Sequence, residues 1–153
     1  MIKKISIMSF VLAIIDQVIK LFLNKYLSYK TIIPNVLYLK LEKNYGVAFS
    51  MLWNNKVLIL IISFLLILFL IYVLNKDYLS KGIESKLTNI TYGLLFGGIL
   101  GNLIDRIVRG YVIDYIKVNI FNYSFPVFNL ADSFITIGVI LMIISIIRED
   151  KKA

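Results

Sequence analysis

The chain has 153 residues and a mass of 17.6 kDa, which leaves room for one domain and little for a separate soluble module. Hydrophobic residues make up 59% of it and its mean hydropathy is +0.85, so the composition indicates an integral membrane protein rather than a soluble domain. The net charge of +8 would suggest nucleic acid in a polar chain, but here it is typical of charges that flank apolar spans beside anionic membrane lipid, and we expect no nucleic-acid partner.

Four apolar runs approach the roughly 20 residues that a helix needs to cross a bilayer. They predict membrane-spanning helices over residues 5–27, 57–74, 87–103 and 130–147. We therefore predict a membrane α-helical protein, with one integral membrane domain over residues 1–153. Two segments between the spans, residues 28–56 and 104–128, are expected outside the cytoplasm, and they predict a small β-rich portion.

The first predicted span carries a polar stripe. Asp16 and Lys20 lie four residues apart with the acid first, the favourable order for an ion pair within a helix. The stripe turns inward at helical spacing and comprises Ala13, Asp16, Gln17, Lys20 and Asn24. Polar groups at membrane depth are often functional, so the pair either orients the first helix or contacts substrate directly.

The segments after spans one and three are strand-like. Residues 36–43 partly alternate between apolar and polar, and they lead to Asn44 and to Gly46, where a turn can approach another backbone. Residues 111–118 form a second strand pattern that places Asp114 among apolar neighbours. Desolvation there should raise the pKa of the Asp114 carboxyl.

The third span combines small residues with a polar end. Glycines recur every four residues, a spacing that lets helices pack closely: Gly93, Gly97 and Gly101. A polar cluster on one helix side follows them: Asn102, Asp105, Arg106 and Arg109. We expect Asp105 to support this network through Arg109 at i+4, with Arg106 facing a pocket.

The fourth span opens with Asn129 and Asp132, three residues apart, where the helix dipole favours an ionised carboxylate. The chain has no histidine and no cysteine, which excludes Ser-His-Asp and Cys-His arrangements and the usual zinc sites. We expect no metal and no cofactor. Proton transfer is left to carboxylates, and the pair Asp114 and Asp132 predicts the aspartic-protease way of activating water.

These motifs together resemble lipoprotein signal peptidase (signal peptidase II), a family of bacterial membrane aspartic proteases. The resemblance runs nearly end to end. It rests on Asp16 and Lys20, on Asn44-x-Gly46-x-Ala48-Phe49, on Gly101-Asn102-x-x-Asp105-Arg106 with Gly110-x-Val112-x-Asp114, and on Phe128-Asn129-x-Ala131-Asp132. One departure is Val47, where the family more often has a second alanine, and this affects only the fine shape of the pocket.

The resemblance implies roles for these residues. Asp114 and Asp132 would be the catalytic pair. From the spacing of their charges, we expect Asp16, Lys20 and Asp105 to be structural supports. The substrate-binding set would be Asn44, Gly46, Asn102, Arg106 and Asn129. The implied substrate is a prolipoprotein whose cysteine carries a diacylglyceryl group, cleaved just before that cysteine.

Lysine and arginine positions predict the orientation. The termini and residues 75–86 hold basic residues packed close to span ends, so the positive-inside rule favours both termini in the cytoplasm. The resemblance implies that the membrane is the bacterial cytoplasmic (inner) membrane. Residues 28–56 and 104–128 would then lie outside, with the active site, and we expect a monomer that contacts membrane lipid. Two other classes are compatible with polar residues in the spans: a small proton-coupled transporter or channel subunit, and a non-catalytic assembly protein.

Overall fold

The computed structural model describes residues 1–46, 55–76, 85–121 and 123–150, with side chains as far as Arg148. In chain order, the elements in these residues are α1 (Ile2–Tyr26), β1 (Tyr29–Ile33), β2 (Leu37–Asn44), α2 (Lys56–Leu74), α3 (Lys86–Val108), β3 (Val112–Ile120), β4 (Tyr123–Ser124) and α4 (Leu130–Asp150).

All four helices in the described residues are long and apolar enough to cross a membrane. The shortest, α2, has 19 residues, and its most apolar stretch has a mean hydropathy of 3.4. Only 17% of that stretch is buried inside the protein, and the exposed side chains include Ile61, Phe64 and Leu68. An apolar surface of this kind matches lipid rather than water, so the prediction of a four-span membrane protein is confirmed.

Helix α3 lies at the centre of the bundle and packs against α1, α2 and α4. In its spanning stretch 61% of the residues are buried, against 28% in α1 and 17% in α4. The prediction ended this helix at Leu103, but it continues to Val108. Hydropathy falls at Asp105 and Arg106, whereas the backbone stays helical because partners from other elements take up these polar side chains.

The glycines of α3 let α1 approach closely. A Cβ atom added at Gly93 would lie 2.6 Å from Met8 Sδ of α1. At Gly97 it would lie 2.9 Å from Leu12 Cβ, and at Gly101 it would lie 2.7 Å from Asp16 Oδ2. The contacts advance by four residues along both helices, so the predicted glycine spacing does serve helix packing. Asn24 of the predicted inward stripe is exposed, contrary to expectation. The next step of the series joins Lys20 to Asp105, and the step after it would place Asn24 opposite position 109, beyond the end of α3 at Val108.

The strands form an antiparallel sheet in the order β1-β2-β3-β4. The strands β2 and β3 confirm the two predicted strand patterns, shifted by one or two residues, whereas β1 and β4 were not predicted. The register of β2 against β3 places Asn44 opposite Val112 and Glu42 opposite Asp114. A further bridge pairs Ile116 with Phe128, which brings the segment before α4 back against β3. The sheet thereby holds Asp114 next to the start of α4.

Candidate active site

Asp114 lies on β3 and is 3% exposed. Its two carboxylate oxygens accept hydrogen bonds from two side-chain amides: Asn44 Nδ2 donates to Oδ2 at 3.0 Å, and Asn129 Nδ2 donates to Oδ1 at 2.7 Å. The Asn44 amide is oriented because its Oδ1 accepts the Gly46 N–H at 2.9 Å. The β2–β3 pairing thus aims one amide at the carboxyl, and the start of α4 supplies the other.

Asp132 lies in the first turn of α4 and forms a reciprocal cap with Asn129. The Asn129 N–H donates to Asp132 Oδ2 at 3.1 Å, and the Asp132 N–H donates to Asn129 Oδ1 at 3.0 Å. This exchange satisfies backbone donors that a helix start leaves unpaired. It also places the Asp132 carboxylate in the first turn of α4, at the positive end of the helix dipole.

Two asparagines connect the aspartates. Asn102 Nδ2 donates to Asp132 Oδ1 at 2.7 Å, and Asn129 Nδ2 donates to Asn102 Oδ1 at 3.1 Å as well as to Asp114. A continuous path of hydrogen bonds therefore runs from Asp132 through Asn102 and Asn129 to Asp114. The structure brings the two predicted carboxylates into one site although 18 positions separate them in the sequence.

Burial raises the pKa of Asp114 to about 7 from its ordinary value of 3.8. Desolvation is the largest cause, the negative charge of Asp132 adds to it, and the amides of Asn44 and Asn129 oppose it. A pKa near 7 lets this carboxyl hold or release a proton at neutral pH, as a general acid must.

Tyr115, the next residue on β3, is a site neighbour that the sequence did not reveal. Its hydroxyl oxygen accepts the Leu130 N–H at 3.2 Å at the start of α4. Burial raises its pKa to about 12, so the hydroxyl stays neutral. A strand pattern alone places residue 115 on the face opposite Asp114, and no local signal indicates this contact.

Arg106 approaches the same site from α3. Its Nη2 donates to the Gly46 carbonyl oxygen at 3.3 Å, and its charge interacts with Asp132 and Asp114. The Arg106 side chain therefore faces the two aspartates, as expected from the sequence. Ala48 and Phe49 of the predicted motif, and Val47, lie outside the described residues.

Behind the asparagines lies a buried ion network around Lys20. Its Nζ lies 2.8 Å from Asp16 Oδ2, 2.8 Å from Asp105 Oδ2 and 3.0 Å from Asn102 Oδ1, and all three charged side chains are 0% exposed. The Asp16–Lys20 pair thus lies away from the protein surface, in contact with the site through Asn102. Of the two interpretations left open by the sequence, the contacts favour support over direct substrate contact.

The remaining oxygens of this network are also paired. Asp105 Oδ1 accepts from Gln17 Nε2 at 3.1 Å and contacts Arg109 Nη1, the partner predicted at i+4. Asp105 Oδ2 also accepts the Ile113 N–H at 3.3 Å, and Asp16 Oδ1 accepts the Ala131 N–H at 3.1 Å. The network therefore ties α1 and α3 to the starts of β3 and α4, the two elements that carry the aspartates.

No group of three His, Cys, Asp or Glu side chains in the described ranges is arranged to hold a metal ion. What the site offers instead is two carboxylates, one capped by a helix start and one desolvated, with amide donors and a guanidinium around them. This set of groups can exchange protons with a water and a carbonyl compound.

Comparison with known proteins decides the family. The family model of signal peptidase (SPase) II matches residues 8–148. The chain belongs to the signal peptidase II family. It is therefore a protease of lipoprotein processing, and it spans the membrane in several passes. The family match therefore favours a protease over the transporter or channel subunit and the assembly protein that the sequence left open.

Solved structures agree with the family assignment. One bacterial membrane enzyme, determined by the in meso method at 2.3 Å resolution, is 34% identical with a TM-score of 0.87, over 99% of this chain and 92% of that chain. A second, determined by the same method at 1.9 Å, is 35% identical with a TM-score of 0.82, over 95% of this chain and 94% of that chain. The likeness covers both the helices and the sheet.

Proposed function

We propose that this signal peptidase II is an aspartic endopeptidase that removes the signal peptide from diacylglyceryl-modified prolipoproteins, cleaving just before the lipidated cysteine. The observation that carries the proposal is the joint placement of Asp114 and Asp132, linked through Asn102 and Asn129 at one end of the bundle. Two nearby carboxylates do not ionise together easily, so one holds a proton while the other accepts one from water.

The surroundings of the two aspartates support different roles. Asp132, at a helix start with amide donors on both oxygens, is the general base that takes a proton from the attacking water. Asp114, whose pKa is about 7, is the acid that polarises the scissile carbonyl oxygen. The tetrahedral intermediate then collapses as the proton taken from water passes to the leaving amine, which breaks the C–N bond.

The remaining polar groups suit the binding of an extended peptide. Asn44, Gly46, Asn102, Arg106 and Asn129 surround the two carboxylates, as the contacts above describe. We assign them to substrate binding. The helices beside them expose apolar side chains, a surface that suits the acyl chains of a lipidated substrate in the membrane. We infer that lipid and substrate are the partners of a monomeric enzyme.

The orientation that fits this function has both termini in the cytoplasm and the sheet outside, where exported lipoproteins arrive. Two exposed lysines form a matched pair for testing it: Lys30 on β1 and Lys76 just after α2. In right-side-out membrane vesicles, a cysteine replacing Lys30 should react with an impermeant thiol reagent, and one replacing Lys76 should react only after the vesicles are opened. The natural chain has no cysteine, so the background is clean. The reverse pattern would place the dyad on the wrong side for an exported substrate.

The activity is tested with purified protein and a prolipoprotein that carries diacylglyceryl-cysteine. Release of the signal peptide should require both aspartates, because asparagine nearly matches aspartate in shape but cannot act as acid or base. Asp114→Asn and Asp132→Asn should each abolish release while retaining wild-type helix content. The same prolipoprotein without lipid serves as the substrate control. Near-normal release by either variant would refute the two-aspartate mechanism, and equal cleavage of the unlipidated control would refute the substrate.

A further inference from the structure

The end of the sheet farthest from Asp114 is formed by two turns. One joins β1 to β2 and the other joins β3 to β4. The Asn119 N–H donates to the Val36 carbonyl oxygen at 2.8 Å, which holds the two turns side by side. We call the exposed apolar side chains of this end the sheet tip: Ile33, Val36, Ile120, Phe121, Tyr123 and Phe125.

Phe121 is the most exposed large apolar side chain in the described residues, at 98%. Its backbone has a φ of 52°, a left-handed conformation that a bulky residue rarely adopts. A turn of this kind ordinarily uses Gly or Asn, so a phenylalanine here is not explained by local backbone preference. Tyr123 and Phe125 pack edge to face, with their ring centroids 4.8 Å apart. A group of exposed aromatic side chains of this kind marks an interaction surface.

The sheet tip carries no charge, and a band of lysines lies behind it. Residues 31–39 and 118–131, which contain the whole tip, have no Asp, Glu, Lys or Arg. Three lysines follow on neighbouring rungs of the strand ladder, one on each of β1, β2 and β3: Lys30, Lys40 and Lys117. Glu42 pairs with Lys40, so this lysine band keeps a net positive charge. An apolar end backed by cations matches the order of acyl chains and phosphates in a bilayer.

The connections to the helices keep the sheet close to the membrane. Strand β1 begins at Tyr29, soon after α1 ends at Tyr26, and β3 begins soon after α3 ends. On the return path, five residue steps join Phe125 to the start of α4 at Leu130, which is at most about 18 Å even when fully extended. The headgroup layer on each side of a bilayer is roughly 5–8 Å thick. The sheet tip is therefore within reach of the lipid that surrounds α4.

We propose that the sheet tip is a membrane anchor, which inserts between the lipid headgroups on the sheet's side of the bilayer and places the lysine band on the lipid phosphates. The partner is phospholipid rather than a second protein, because an uncharged aromatic end with cations behind it matches acyl chains beneath anionic headgroups. The strand that carries Asp114 is then held at both ends, by α3 at one and by lipid at the other. This inference goes beyond the proposed function and does not depend on the peptidase chemistry.

The test places a fluorescent label beside the sheet tip and measures its depth in the bilayer. The natural chain has no cysteine, so Ser124→Cys on the exposed strand β4 gives a single attachment site and leaves the tip residues unchanged. Lys40→Cys, in the lysine band of the same sheet, is the matched control. The whole chain is reconstituted in vesicles of phosphatidylcholine and phosphatidylglycerol that carry a quenching nitroxide on the acyl chain. Both leaflets carry the nitroxide, so the direction of insertion does not affect the reading.

The label at position 124 should be quenched about twofold or more relative to the label at position 40, because an anchored apolar surface lies about 5–10 Å into the headgroup and acyl boundary. A sheet that projects into water has the tip as its outermost end, so the order of quenching would reverse. Equal or weaker quenching at position 124 would overturn the inference. A label shielded from both the nitroxide lipid and aqueous iodide would mean that protein covers the tip, which would overturn it as well.

A second comparison tests whether Phe121 itself holds the tip in the lipid. In the labelled Ser124→Cys chain, Phe121→Asp should reduce the quenching toward that of the Lys40→Cys control, because a carboxylate resists transfer into lipid. Phe121→Leu keeps an apolar side chain and should retain the quenching. Unchanged quenching in Phe121→Asp would overturn the inference. If that variant does not reconstitute, the comparison of positions 124 and 40 with Phe121 in place decides.

Discussion

Replacing Asp105 by asparagine removes one carboxylate from the buried network without changing its shape. In the wild-type protein Asp105 accepts from Lys20, Gln17, Arg109 and the backbone N–H of Ile113, and it is 0% exposed. Asparagine keeps one oxygen acceptor but carries no charge. Lys20 is then left with Asp16 as its counterion, and Arg109 loses its own.

The expected loss of stability in Asp105→Asn follows from the burial of this side chain. Breaking a buried ion pair by removing one partner costs about 3–5 kcal/mol, because the other charge stays desolvated. Asp16 still pairs with Lys20, and Arg109 is 16% exposed, so we expect the lower end, about 3 kcal/mol. For a chain of this length about 1 kcal/mol corresponds to about 2–4 °C, so the melting temperature of Asp105→Asn should fall by roughly 6–12 °C.

The assay is thermal unfolding in detergent micelles, followed by far-ultraviolet circular dichroism, together with turnover measured well below both melting temperatures. The matched control is Lys40→Gln, which breaks the Lys40–Glu42 pair. The side chains of that pair are 45% and 44% exposed, so its loss should cost about 0–1 kcal/mol. If Asp105→Asn melts like Lys40→Gln, the network does not stabilise the fold as argued. Wild-type melting with lost turnover would instead place Asp105 in the chemistry.

Three further predictions concern the site and the helix contacts. Arg106→Ala should lower kcat/KM by about tenfold or more with melting nearly unchanged, because it removes a charge beside the dyad; an unaltered rate would contradict its place in the binding set. Gly98→Ala should lower the free energy of unfolding by about 1–3 kcal/mol or more, since the added Cβ would lie 2.5 Å from the Ala131 carbonyl oxygen. Gly93→Ala should cost less because its Cβ would contact the flexible side chain of Met8, and equal losses in thermal unfolding would contradict this. The value of kcat/KM should fall as pH rises through about 7, where Asp114 of the free enzyme loses the proton with which it polarises the scissile carbonyl. A profile flat to pH 9 would exclude Asp114 as the acid.

Much of the fold could be predicted from hydropathy and spacing, and the residues show why. A spanning helix must hide its backbone polar groups and present an apolar surface. Helix α2 is therefore visible in a hydropathy scan as an apolar run broken only by Ser63 and Tyr72. The spacing of Gly93, Gly97 and Gly101 indicated a close helix contact, although not that α1 was the partner. Strand β1 has every residue exposed, so it has no alternation by which a pattern could reveal it.

Those contacts of the site that depend on residues close in sequence could also be predicted. The reciprocal cap between Asn129 and Asp132 follows from their spacing of three, and the Asp105–Arg109 pair follows from a spacing of four. The joining of Asp114 to Asp132 does not follow from spacing at all. It depends on Asn102, which a different helix supplies. In the sequence, the lack of histidine and cysteine and the family resemblance indicate the pair, whereas no spacing does.

The end of α3 shows why such sites resist prediction from hydropathy. A polar residue at a span end is compatible with two outcomes, an exit into water or burial against a partner, and the partner is distant in sequence. Asp105 takes the second outcome because Lys20, 85 positions earlier, lies on the parallel helix at the same level. The helix therefore continues past its apolar run, and the added turn carries Arg106 to the carbonyl oxygen of Gly46. The charge of Asp105 makes a hydropathy scan end α3 too early, and its ion pair with Lys20 keeps the helix going far enough to reach the site.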